Sequence, residues 1–121
     1  MPFSRLVAIV DDDPGVRGSI ESLLRSAGLT GVQFPEGGAL LDSAQLETFA
    51  CIVTDVHMDG MDGPALQREL QRRGCAHPLI AMTAFPTAAT RDRMIASGAR
   101  AFLTKPIDPD ALLEAIEAAV A

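Results

Sequence analysis

Three short apolar runs, each ending at an oxygen-bearing side chain, constrain this chain more than any other feature. Val7-Ala8-Ile9-Val10 runs into Asp11-Asp12-Asp13, Cys51-Ile52-Val53-Thr54 into Asp55, and Leu79-Ile80-Ala81-Met82 into Thr83. A short run without polar alternation reads as a strand buried on both faces, the kind found in the middle of a parallel sheet. Ligands of open parallel sheets bind beyond the carboxyl ends of such strands. A polar residue ending one strand is ordinary punctuation. Three strand ends carrying carboxylates and a hydroxyl point to one site.

The intervening segments read as helices. Asp13-Pro14 opens the first, with Asp as cap and Pro in the first turn. Val16, Ile20, Leu23, Leu24 and Ala27 fall on one of its faces, and Gly28 ends it. Residues 30–34 form a shorter, less apolar strand that belongs nearer an edge. A short helix is expected within residues 35–45, although Gly37-Gly38 discourages it. Asp62-Gly63-Pro64 repeats the cap-and-proline start, with Leu66 and Leu70 one turn apart and Gly74 as stop. Residues 87–97 form a fourth helix, with Met94 and Ile95 inward, Arg91 and Arg93 outward, and Gly98 closing it. Ala101-Phe102-Leu103-Thr104 is the fifth strand, ending at Lys105-Pro106. Asp108-Pro109 starts a last helix with Leu112, Leu113, Ile116 and Val120 on its apolar side.

Strand and helix alternate five times without linker, repeat or low-complexity segment. Right-handed crossovers then give an α/β fold, a doubly wound five-stranded parallel sheet with helices on both faces. The common strand order 2-1-3-4-5 sets strands 1 and 3 side by side at the topological switch point. Asp11, Asp12 and Asp55 converge there. The 121 residues fit a single domain, 1–121, and 48% hydrophobic with 21% charged residues argues against disorder. A net charge of −6 argues against direct nucleic-acid contact. No apolar run approaches the roughly 20 residues that cross a bilayer, and the start carries no signal-peptide pattern. Cys51 and Cys75, without close spacing, fit a reducing compartment, so the expected location is cytoplasmic.

Carboxylates crowded at one sheet edge repel unless a cation neutralises them or their pKa values rise. An all-oxygen set suits a hard dication, Mg²⁺ or Mn²⁺. Lys105 adds an ammonium and Thr83 a hydroxyl donor. A carboxylate nucleophile, a dication, an ammonium and a hydroxyl match what phosphoryl transfer asks of a protein. Each residue also has a plainer role. Asp13 serves as a helix cap, Thr83 as a β-branched strand residue, and Lys105 as a solvated lysine.

Val10-Asp11-Asp12-Asp13, Asp55-Val56-His57-Met58 with Gly63, Met82-Thr83-Ala84 and the run 98–106 through Thr104-Lys105-Pro106 stand in order at the strand ends. With them the chain resembles the receiver domain of two-component response regulators, from Leu6 to the last helix. The resemblance implies a flavodoxin-like sheet and a phosphoprotein of a two-component system. A sensor histidine kinase or a histidine phosphotransfer protein would load Asp55. It also implies that Asp12 binds Mg²⁺ directly, Asp11 mostly through water, and His57 through its backbone carbonyl. Thr83 and Lys105 would hold phosphoryl oxygens. Phe102 would be an aromatic switch turning inward from an exposed rotamer with Thr83. The Lys105-Pro106 peptide would be cis. His57 and Phe85, two residues beyond Asp55 and Thr83, would flank an attacking water and tune the phosphoryl lifetime. A homodimer through helix 4, strand 5 and helix 5 is a further expectation, with Arg91 and Arg93 facing Glu114 and Glu117. The words around Val16-Arg17 and Phe85 also resemble receivers joined to LuxR-type helix-turn-helix outputs.

One departure stands out: Asp59 occupies a position where the family usually has Pro, which frees the loop and adds charge near the cation. Two other readings compete. A phosphatase of the haloacid dehalogenase type needs a second Asp two residues after its nucleophile, where this chain has His57. A receiver-like binding module would signal without phosphorylation, and Asp59 leaves room for that.

Overall fold

The computed structural model describes residues 6–58 and 60–120. Asp59, and with it the expectation about its effect on the loop, lies outside the described residues, as do residues 1–5 with the absent signal pattern. Strands β1 (Leu6–Val10), β2 (Thr30–Phe34), β3 (Cys51–Asp55), β4 (Leu79–Thr83) and β5 (Ala101–Thr104) form one parallel sheet in the order β2-β1-β3-β4-β5. Helices α1 (Pro14–Ser26), α2 (Gly37–Leu41), α3 (Gly63–Arg72) and α4 (Ala88–Ala96) connect them, and α5 (Pro109–Val120) follows β5.

Strand side chains alternate between two cores. Val7, Ile9, Cys51, Val53, Ile80 and Met82 pack with Ile20 and Leu24 of α1 and Leu112 and Ile116 of α5. Ala8, Val10, Ile52, Leu79 and Ala81 pack with Leu40 of α2, Leu66 and Leu70 of α3 and Met94 of α4. Both faces of the three central strands are thus covered, which is why their sequences lack alternation. Each Leu or Ile buried this completely contributes about 1.5–3 kcal/mol. The carboxyl ends of the strands stay anchored relative to one another.

The helix starts follow the sequence. Asp13 Oδ1 accepts from the backbone N–H of Gly15 at 2.8 Å, and Asp62 Oδ1 accepts from that of Ala65 at 2.9 Å. Thr87 and Asp108 cap α4 and α5 in the same way, at 3.1 and 2.9 Å. Each such cap is worth about 1 kcal/mol. The α1 and α3 ends pass through Gly28 and Gly74 at φ 80° and 77°, a region that favours glycine.

Three inward assignments are corrected. Ile95 and Val120 are exposed, at 47% and 45%. In α4 the buried stripe is Thr90 and Met94, one turn apart, so the next residue rotates out to solvent. In α5 the stripe is Leu112, Ile116 and Ala119, and Ala119 takes the inward place given to Val120. Ala27 is exposed because it caps α1 outside helical geometry, at φ −102°. The helix expected within 35–45 spans only Gly37–Leu41, and a 3₁₀ turn, Leu46–Thr48, follows it. Gly37 is there for packing: a Cβ would stand 3.2 Å from Met61 Sδ and 3.3 Å from Leu66 Cδ1.

Gly31 sets the approach of α1 to the sheet edge. A Cβ at Gly31 would lie 2.7 Å from Ile9 Cδ1, 3.1 Å from Leu24 Cδ1 and 3.3 Å from Glu21 Cα, a backbone atom that cannot step aside cheaply. Gly31→Ala is expected to destabilise the fold by about 1–3 kcal/mol through overpacking. Urea denaturation checks this, and unchanged stability would show that α1 has room to retreat.

Candidate functional site

β1 and β3 are neighbours with Val10 opposite Thr54, so Asp11 and Asp55 continue two adjacent strands at the same level. Asp11 is fully buried, Asp55 nearly so at 6%, and Asp12 is exposed. Carboxylate oxygens of all three lie within 4.8 Å of one another. The sequence expectation that these residues meet is therefore met in space.

Lys105 enters from the far side of the sheet. Its backbone N–H donates to Thr83 O at 2.8 Å, which keeps it in register beyond β5, and the Lys105-Pro106 peptide is cis. Its Nζ donates to Asp11 Oδ2 at 2.7 Å and lies 3.4 Å from Asp55 Oδ2. The other oxygens are held by backbone: Asp13 N–H donates to Asp11 Oδ1 at 2.8 Å, and His57 N–H to Asp55 Oδ1 at 3.3 Å. Among the described residues, every buried side-chain nitrogen and oxygen has a partner.

Burial pushes the Asp55 carboxyl above the ordinary carboxylate range, and the negative charge of Asp11 pushes the same way. Lys105 and the His57 N–H pull it down without prevailing. Burial also works against the Lys105 ammonium, but the hydrogen bond to Asp11 and the charges of Asp55 and Asp11 hold its pKa above the usual value. Both directions have one origin. Lys105 sits closer to Asp11 than to Asp55, so the pair satisfies the lysine while Asp55 keeps a like-charged neighbour. Negative charge remains in excess of the single ammonium, in a partly desolvated pocket. Such an all-oxygen, partly open cluster fits a hard dication that retains waters.

Thr83 is fully buried, and its Oγ1 accepts from the Phe85 N–H at 3.0 Å. That leaves the hydroxyl proton free to donate. Phe85 is 71% exposed, and its ring meets the His57 ring edge-on, with centroids 6.3 Å apart. The two side chains expected to flank an incoming water do face each other. Gly63, at the start of α3, closes the loop after Asp55: its N–H donates to Val56 O at 2.9 Å, and a Cβ would stand 3.1 Å from Val56 Cα.

Phe102 differs from expectation. It is partly buried and packs against the α2–α3–α4 core instead of standing in an exposed rotamer. β5 is an edge strand, so its ring gains apolar contact by folding over the margin of that core. Sequence reasoning also missed Arg17, whose Nη1 donates to the Asp11 carbonyl at 2.7 Å. A cation one turn into a helix that begins at an acidic strand end was the available signal.

The raised Asp55 pKa gives a stability prediction for metal-free protein. Because the folded value lies above the unfolded one, folding is most favoured below the ordinary carboxylate value of 3.8, and stability is lost as pH rises through the raised folded value. The penalty therefore grows as pH rises from the ordinary carboxylate range toward neutral. Asp55→Asn should therefore raise the melting temperature by a few degrees at pH 7 without divalent cations. The gain should shrink as pH falls toward the ordinary range. Thermal unfolding of both proteins across pH checks this, and a gain independent of pH would place its cause elsewhere.

Comparison with known proteins agrees with this geometry. Residues 7–117 match the family model described as "Response regulator receiver domain". The chain is 38% identical over 120 residues to the transcriptional regulatory protein FixJ of Azorhizobium caulinodans, covering 99% of this chain and 57% of that protein. It is 34% identical over 115 residues to the DNA-binding transcriptional regulator NtrC of Escherichia coli K12, covering 95% of this chain and 24% of that one. The chain thus spans between a quarter and rather more than half of these relatives. Among solved structures, FixJ-N superposes with a TM-score of 0.88 at 29% identity, covering 99% of this chain and 95% of that one. The Vibrio cholerae chemotaxis protein CheY4 superposes at 0.87 with 25% identity, covering 96% and 98%.

Proposed function

The chain belongs to the response regulator receiver domain family, and we propose that it takes a phosphoryl group onto Asp55 from the phosphohistidine of a sensor histidine kinase or histidine phosphotransfer protein. The observation that carries this reading is the convergence of the Asp11, Asp12 and Asp55 carboxylates within 4.8 Å, answered by Lys105. In the step, an Asp55 carboxylate oxygen attacks phosphorus and forms an O–P bond. The P–N bond to the donor imidazole breaks, its electron pair goes to nitrogen, and that nitrogen takes up a proton from solvent. Asp12, Asp55 and the His57 backbone carbonyl would hold Mg²⁺ or Mn²⁺, with Asp11 reaching it through water. When bound, the ion neutralises charge on the phosphoryl oxygens.

Lys105 would exchange its contact with Asp55 for one with a phosphoryl oxygen, keeping Asp11 as anchor. The free Thr83 proton would be donated to another oxygen. Drawing Thr83 toward the phosphoryl group opens space beside the strand on which Phe102 sits, since Ala81 is paired with Phe102 and Thr83 with Thr104. Phe102 already leans on the core and would complete its burial there. A change of its apolar area alters the face made by α4, β5 and α5, with exposed Arg91 and Arg93 on one side and Glu114 and Glu117 on the other. That face would mediate a homodimer or partner contact. The names of the longer relatives support an output in transcription, delivered by something other than this domain's own acidic surface. Among the described residues no helix is long and apolar enough to cross a membrane.

Incubation with Mg²⁺ and phosphoramidate, followed by intact-mass measurement, separates the readings. A single, slowly lost phosphoryl adduct is expected. Continuous donor turnover means a phosphatase, and no adduct means a non-phosphorylated module. Asp55→Asn is expected to lose the adduct while keeping the fold, and stoichiometric labelling of that variant would exclude Asp55 as acceptor.

The lifetime of the adduct tests the flanking pair. Phe85→Ala removes the ring that faces His57 across the entry, so hydrolysis should speed up severalfold, equivalent to about 1 kcal/mol in barrier. A lifetime as long as wild type would refute shielding by Phe85.

A further inference from the structure

Arg17 lies on α1, outside the acidic cluster, yet it is wired to it. Its Nη1 donates to the Asp11 carbonyl at 2.7 Å, and its Nε donates to Gln33 Oε1 at 3.1 Å on β2. The Gln33 amide nitrogen in turn donates to Glu21 Oε1, one turn further along α1. Glu21 thereby orients the amide so that its oxygen faces the guanidinium. A guanidinium presents its donors in a fixed plane, so engaging two acceptors at once defines its position far better than one contact would.

The carbonyl that Arg17 holds belongs to the peptide joining Asp11 to Asp12. A peptide unit is planar, so fixing its oxygen also fixes the N–H and the Cα direction of Asp12. Every other polar group of Asp11 is already engaged: its N–H donates to Phe34 O at 3.2 Å, and its carboxylate is held by Asp13 N–H and Lys105. Asp12 is exposed, so packing constrains its side chain little. Its carboxylate direction depends on the backbone that presents it.

We infer that Arg17 is a positioning residue for the divalent cation, clamping the Asp11–Asp12 peptide so that the Asp12 carboxylate points at the cluster, with Gln33 and Glu21 holding the clamp. This rests on the reading of Asp11, Asp12 and Asp55 as the cation site. It runs against simple electrostatics, which would have a cation near a cation site weaken binding. Orientation and charge therefore predict opposite signs for the same substitution.

The test measures Mg²⁺ affinity by isothermal titration calorimetry and by the Mg²⁺-dependent rise in melting temperature. The phosphoramidate labelling rate is followed in parallel as a function of Mg²⁺. Arg17→Ala is expected to weaken Mg²⁺ binding about tenfold, the usual scale for losing a group that orients a metal ligand. Its labelling rate should return to near the wild-type value at saturating Mg²⁺, a split that a purely structural role would not give. Gln33→Ala, on the exposed edge strand, should weaken binding in the same direction by a smaller factor, and it keeps the test available if Arg17→Ala folds poorly. Arg17→Lys, which retains charge but lacks the fork, should fall between wild type and Ala. Arg72→Ala, which removes a charge at the opposite end of α3, serves as the control and should bind Mg²⁺ like wild type. Wild-type affinity in both Arg17→Ala and Gln33→Ala overturns the clamp, as does tighter binding, which would assign Arg17 an electrostatic role only. Failure of the wild-type protein to bind Mg²⁺ overturns the underlying site reading instead.

Discussion

The crowding of carboxylates at the switch point is the constraint around which the rest of this structure is arranged. A fully buried Asp11 beside a nearly buried Asp55 is unfavourable in itself, because each must shed water next to a like charge. Lys105 makes the arrangement tolerable by spanning both, and it can do so only because β5 ends level with them on the other side of β4. Removing Lys105 would cost more than its pairs give, since two carboxylates would stay buried without an ammonium. One ammonium thus answers two buried carboxylates, with the exposed Asp12 beside them.

The fold supplies the rigidity that this requires. The ends of the three central strands lie between two cores, one on either face, and the residues that follow β1, β3 and β5 are tied back at once. Val56 N–H donates to Met82 O, Lys105 N–H to Thr83 O, and Asp11 N–H to Phe34 O, at 2.9, 2.8 and 3.2 Å. These bonds extend the sheet one residue past its apolar part, into the row that carries the chemistry. Asp12, His57 and Phe85 are the exposed residues there, the groups that an incoming donor or water would meet first.

α4 is anchored unevenly. At its C-terminal end Gln67 and Gln71 of α3 both donate to the Ser97 carbonyl, at 3.1 and 3.0 Å. Its N-terminal end follows the exposed segment after Thr83 and is held by the Thr87 cap.

Much of this was legible in the sequence, and the reasons are specific. Unbroken apolar runs at 7–10, 51–54 and 79–82 require burial on both faces, hence a parallel sheet, and Asp-Pro pairs with later glycines mark helix boundaries. With the common strand order 2-1-3-4-5, Asp11, Asp12, Asp55, Thr83 and Lys105 come to one edge of the sheet. What the sequence could not decide were matters of a single rotation or a single contact. Ile95 and Val120 look apolar and inward by spacing, but Met94 and Ala119 beside them took the inward places. Phe102 could stand in solvent or lean on the core, and only the packing at the edge strand chose the second. The link from Glu21 through Gln33 and Arg17 to the Asp11 carbonyl joins α1, β2 and the end of β1, whose adjacency exists only after the sheet has formed. Local patterning determined the elements and their order, because burial and backbone geometry are read residue by residue. Tertiary structure decided which polar groups face one another, because hydrogen-bond partners across elements are set by register and packing and leave no period in the chain.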